Sequence, residues 1–99
     1  MQTIVRGPNT TFLKSLDEKW CFYMDIEVAF GKVVREFRNN KELSQEELAH
    51  ICNLDRTFIS LLERGKRKPT INTVFALAAG LEILPRELIK ETENKINKA

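Results

Sequence analysis

The sequence predicts an all-α fold: a compact five-helix domain preceded by an N-terminal extension. Three observations carry this reading. From Asp25 onward, apolar residues recur every three or four positions, the period of helices with one buried stripe. Ser44, Asp55 and Thr70 each stand just before such a stretch, where a short polar side chain can satisfy free N–H groups of a first helical turn. Gly65 and Pro85 fall where a helix stops and where one starts.

Residues 1–24 form the extension. The opening MQTIVRGPNTT carries Gly7, Pro8 and Asn9 and reads as an irregular arm. Phe12, Leu16 and Trp20 recur at a spacing of four, with Leu13 on the same face, so residues 12–23 can form a short helix. Trp20, Phe22 and Tyr23 concentrate aromatic surface outside the main domain. Such groups favour interfaces, and packing back on the first helix is the other use open to them. Met24 precedes the stronger pattern, so a chain whose main start is Met24 reads the same way.

The domain spans residues 25–90. Its first helix covers roughly 25–39, with Ile26, Phe30, Val33, Val34 and Phe37 on one face and Asn39-Asn40-Lys41 at its end. The second starts at Ser44, with Glu47 closing a capping box and Leu43 and Leu48 in the positions of a hydrophobic staple. Leu48, Ala49 and Cys52 face inward. After a break at Asn53-Leu54, Asp55 caps a third helix with Ile59 and Leu62 inside and Gly65 as its left-handed stop. Thr70 caps a fourth, with Ile71, Val74, Leu77, Ala78 and Leu81 inward. Pro85 opens a fifth, held by Leu88 and Ile89, and residues 91–99 are a polar, frayed tail.

Several function classes fit poorly. His50 is the single histidine and reads as a surface residue, and Glu46-Glu47 is explained by capping and the favourable N-terminal helix dipole. No Gly-rich phosphate loop appears, and no metal-ligand spacing, so neither enzyme chemistry, cofactor nor metal is expected. Cys21 and Cys52 are far apart and read as reduced thiols of a cytoplasmic protein. No secretory leader or membrane-spanning run is legible.

The informative unit is Ser44 to Gly65, a short capped helix, a tight turn and a second short helix. So short a turn forces a steep crossing, which needs a small residue, Ala49, where the backbones approach. The turn also needs a residue tolerant of positive φ, and Asn53 is the next choice after Gly. The crossing pushes the start of the second helix outward, where it can reach base edges of double-stranded DNA. Arg56, Thr57 and Ser60 cluster on its polar side, with Leu61 partly outward and suited to a thymine methyl. Residues 53–70 carry a net charge of +3, from Arg56, Arg64, Lys66, Arg67 and Lys68 against Asp55 and Glu63. Alone, the polar face is the wet side of an amphipathic helix and the charge run a solvated loop. Together, beside the capped turn, they fit a polyanion.

The stretch SQEELAHICNLDRTFISLLERGKRKPTINTVFALAAGLEILPRELI resembles the lambda-repressor-like, or XRE-type, helix-turn-helix regulators over about Phe30 to Ile89. NLDRTFIS and ERGKRKPT are most similar to restriction–modification controller proteins, short dimeric regulators with little beyond the DNA-binding domain. The resemblance implies a transcriptional regulator. It gives Arg56, Thr57, Ser60 and Arg67 as base contacts and Gln45, Lys66 and Lys68 as backbone contacts, with Gln45 also bracing the recognition helix. Leu61, from its outward position, is added to the base contacts and Arg64, from the basic run, to the backbone contacts. It makes Arg38 and Glu63 a partly buried ion pair. Two departures stand out. Asn53 replaces the usual turn Gly, and Glu82 replaces the Gly that ends the fourth helix, with Leu84 where a capping Ser is common, so that end is expected to be locally altered.

One recognition helix reads few base pairs, so a homodimer on a near-palindromic operator is expected. Leu81, Ile83, Leu84, Leu88 and Ile89 crowd apolar side chains near the fifth helix and are the candidate interface. A rival reading is an antitoxin or mobile-element repressor whose residues 12–23 dock a protein partner.

Overall fold

A computed structural model describes residues 25–97. The expectations for residues 1–24, a helix over 12–23 among them, lie outside the described residues. Five helices follow in order: α1 (Ile26–Asn40), α2 (Gln45–Cys52), α3 (Arg56–Glu63), α4 (Ile71–Leu81) and α5 (Pro85–Ile96). The described residues contain no strand, as the apolar period predicts.

Each helix contributes large side chains to one core. Val33 and Val34 of α1, Leu48 of α2, Ile59 and Leu62 of α3, Leu77 and Leu81 of α4 and Leu88 of α5 are all fully buried. Burying one such side chain stabilises by about 1.5–3 kcal/mol, so the core gains from all five helices at once. α1 packs against α3 and α5, and α2 bridges α3 and α4.

α1 and the end of α3 approach closely. A Cβ on Gly31 would collide with the Leu62 carbonyl oxygen and lie 2.8 Å from that of Glu63. Glycine therefore sets how deeply α3 seats. Gly65, at φ 75°, turns the chain out of α3.

The structure corrects several expectations. Ile26 and Ile71, expected inside, are 63% and 71% exposed. Both occupy the first position of their helix and project past the edge of the core, whereas Phe30 and Val74, one turn on, are buried. Asp55 holds the cap position of α3 but makes no side-chain capping bond. The last helix runs to Ile96, well past residue 90. Thr92 and Ile96 continue the inward stripe of Leu88, the Thr92 hydroxyl donates to the Leu88 carbonyl at 2.7 Å, and Lys95 pairs with Glu36 at 2.8 Å. Charged neighbours disguise this stripe in the sequence.

The proposed interface is also redistributed. Leu81 and Leu88 are spent inside the core, Ile83 is half-buried, and only Leu84 and Ile89 stay exposed. At 100° per residue those two lie about 140° apart around α5, on opposite flanks. Burial of Leu81 and Leu88 follows from the small size of the domain, whose core needs them to close. The end of α4 keeps a regular stop. Glu82 itself adopts the left-handed conformation at φ 60°, and the Ile83 N–H reaches the Ala78 carbonyl at 2.9 Å. Lys41 Nζ holds the Glu82 carboxylate at 2.5 Å.

Candidate nucleic-acid interface

The site is built on the corner between α2 and α3. Ser44 Oγ accepts from the Glu47 N–H at 3.0 Å, and the Ser44 N–H donates to Glu47 Oε1 at 2.7 Å, closing the capping box. At the other end of α2, Asn53 takes φ 59° and ψ 44°, and the Leu54 N–H donates to the Ala49 carbonyl at 2.8 Å. Asparagine tolerates this left-handed geometry, so the chain reverses without glycine. Ala49 is buried where α2 and α3 approach. The result is a steep entry for α3 with its first residues in solvent.

On α3, Arg56 and Thr57 are exposed, Ser60 and Leu61 half-buried, and Ile59, Leu62 and Glu63 buried. With Arg64, the outer residues fall within an arc of about 140°. Arg64 is exposed, and its Nε donates back to the Ser60 carbonyl at 3.3 Å. Lys66, Arg67 and Lys68 follow directly and are exposed. Lys68 lies 3.6 Å from Glu27, a loose pair that leaves the cation in water.

Beneath this face runs a network of buried and half-buried polar groups. Arg38 Nε donates to Glu63 Oε2 at 2.6 Å and Arg38 Nη2 to Glu63 Oε1 at 2.9 Å, a two-pronged pair between α1 and α3. Arg38 Nη1 donates to the Leu43 carbonyl at 2.8 Å, tying in the corner before α2. The hydrogen bond to Glu63 raises the guanidinium pKa above its usual range, against the pull of burial. Gln45 Nε2 also donates to Glu63 Oε1, at 3.0 Å, and Arg56 Nη1 reaches Gln45 Oε1 at 3.4 Å. Glu63 thus accepts from both Arg38 and Gln45, and a chain of contacts runs from the buried pair to the exposed head of Arg56.

The structure therefore joins Arg38, Glu63, Gln45 and Arg56, and presents Thr57, Ser60 and Leu61 beside Arg56. It does not bring the five expected interface residues onto one surface. Sequence reasoning missed Gly31. Its signal was available, since glycine inside a helix costs about 1 kcal/mol relative to alanine and usually marks a packing reason. Cys52 is half-buried against Gly80, and burial pushes its thiol pKa up. No three His, Cys, Asp or Glu side chains converge as metal ligands among the described residues. No described helix is long and apolar enough to cross a membrane.

Comparison with known proteins gives concordant matches. A family model described as helix-turn-helix matches residues 34–88. The chain is 41% identical to the control protein C.SmaI of Serratia marcescens, over 76% of this chain and 89% of that protein. It is 46% identical to the restriction-modification controller protein C.AhdI of Aeromonas hydrophila, over 62% of this chain and 92% of that one, with a TM-score of 0.61. It is 32% identical to C.Esp1396I, a restriction-modification controller protein solved as a tetramer with its natural 35 base-pair operator. That match covers 74% of this chain and 96% of that one, with a TM-score of 0.68.

Proposed function

This chain belongs to the helix-turn-helix family, and from that premise we propose that it is a sequence-specific transcriptional regulator of a restriction–modification system, binding double-stranded DNA as a homodimer in the cytoplasm. The observation that carries the reading is the exposed arc of Arg56, Thr57, Ser60 and Leu61, held in place by a buried network and followed at once by solvent-facing cations. Its work is binding, without catalysis.

Arg56 can donate two bonds to a guanine, Thr57 and Ser60 can bond bases or phosphates, and Leu61 can meet a thymine methyl. Arg67 extends base reading from the loop. Gln45, Arg64, Lys66 and Lys68 hold the phosphates and set the register of α3 in the major groove. Two copies related by a two-fold axis read the two halves of a near-palindrome; C.Esp1396I, solved as a tetramer with its operator, supports assembly on DNA as an oligomer. With Leu81 and Leu88 inside the core and Ile89 on the opposite flank, the interface falls to Ile83 and Leu84, and the exposed Phe75 of α4 adds to the available apolar surface.

Selection of bound sites from random duplex DNA tests the reading. The expected product is a near-palindrome with half-site centres about 34 Å, or a multiple of it, apart. Recovery of no enriched site would sink the proposal. Sedimentation of Leu84→Glu should show a shift toward monomer at micromolar concentration with the fold intact. An unchanged mass would move the interface elsewhere.

A further inference from the structure

A largely apolar groove lies between the starts of α1 and α4 and the middle of α5, with Lys68 and Pro69 of the basic loop at one edge. Ile26, Ile71 and Ile89 form its rim, all more than half exposed, and the buried Phe30 and Val74 form its floor. Its volume is about 350 Å³, room for a bulky aromatic side chain. Isolated apolar residues on a surface need no explanation, but large ones gathered around one concavity mark a surface that something covers.

We propose that the occupant is the chain's own N-terminal segment, with residues 12–23 laying the Phe12, Leu16 and Trp20 stripe into the groove. Attachment is the first argument. The described chain begins at Asp25, immediately before Ile26 on the rim, and 24 residues precede it. Trp20 is six positions from Ile26, about 20 Å of extended chain, so a fold-back brings its ring to the groove. Complementarity is the second. The segment carries an apolar stripe that calls for a partner, and the groove is an apolar surface that the described residues leave uncovered. Tethering makes this contact intramolecular, so its effective concentration is far above that of any second chain.

Trp20 is the single tryptophan of the sequence, so its fluorescence reports the contact directly. In the full chain its emission should be blue-shifted, and acrylamide should quench it several-fold less efficiently than in urea, at every protein concentration. Ile26→Asp and Ile71→Asp place an acid at the exposed first position of a helix, where the helix dipole favours it, so the fold should survive by circular dichroism. Either variant should raise the quenching several-fold toward the unfolded value. A Trp20 that is fully quenched in the wild type, or equally protected in both variants, would overturn the proposal. Protection that grows with protein concentration would overturn it too, by showing that a second copy fills the groove.

Discussion

Two charged regions flank α3 and do opposite things with the same residue types. Below the helix, Arg38 and Glu63 are buried, two-pronged and tied to Gln45 and the Leu43 carbonyl. After it, Arg64, Lys66, Arg67 and Lys68 are exposed, and among the described residues only Lys68 has a nearby acid, at 3.6 Å. Burial makes the first region structural, because a charge out of water must keep its partner. Exposure makes the second available to a ligand, because solvated cations contribute little to folding and remain free to meet phosphates. The difference teaches that charge on this molecule acquires its role from depth. The contrast can be broken at either end.

The largest effect is expected at the buried end. Glu63→Ala leaves Arg38 uncompensated and should destabilise the domain by about 3–5 kcal/mol in urea unfolding. A double-mutant cycle with Arg38→Ala should show strong coupling, and additive losses would reject the pairing. Next comes Arg56→Ala at the junction of the two regions. It should cost about 1–3 kcal/mol on the selected operator and relax preference at one base pair per half-site, read by competition binding. Equal weakening on all sequences would make Arg56 a phosphate contact.

At the exposed end, Lys66→Ala should leave stability within about 0.5 kcal/mol. It should instead reduce the slope of log affinity against log salt by about 0.9 and weaken specific and non-specific DNA alike. A salt titration that superimposes on wild type would remove this residue from the interface. The smallest effect is expected at Lys41 and Glu82, an exposed pair outside both regions. The Lys41 ammonium beside it holds the Glu82 carboxyl below its ordinary pKa. A depressed folded pKa adds stability above the usual carboxylate range, and that share is lost as the pH falls through the folded value. Lys41→Ala should return the Glu82 titration upward by NMR with little change in unfolding.

What was legible in the sequence was local. The capping box at Ser44, the left-handed Asn53 and the Thr70 cap depend on residues within one turn, and the sequence names them. The outward face of α3 was legible because Ile59 and Leu62 mark its opposite side. What escaped was tertiary. Nothing near Gly31 in the chain reveals that the Leu62 and Glu63 carbonyls will lie against it. Ile26 and Ile71 carry the right period for burial, but each stands about one turn before its helix reaches the core. Leu81 and Leu88 look spare for a dimer until the packing of five short helices uses both.

Glu63 sits on the reading helix, where a bare carboxylate would repel a polyanion. Its oxygens are instead engaged by Arg38 and Gln45, so its field is largely extinguished before it reaches the surface. A duplex approaching from afar meets a potential set by Arg56, Arg64 and the Lys66–Lys68 loop, offset in part by Asp55 on α3's approach and Glu27 beside Lys68. Such a net positive potential lengthens the range over which a phosphate backbone is drawn in and turned to face α3. The buried pair that holds the helix thereby also shapes the rate at which the helix finds its target.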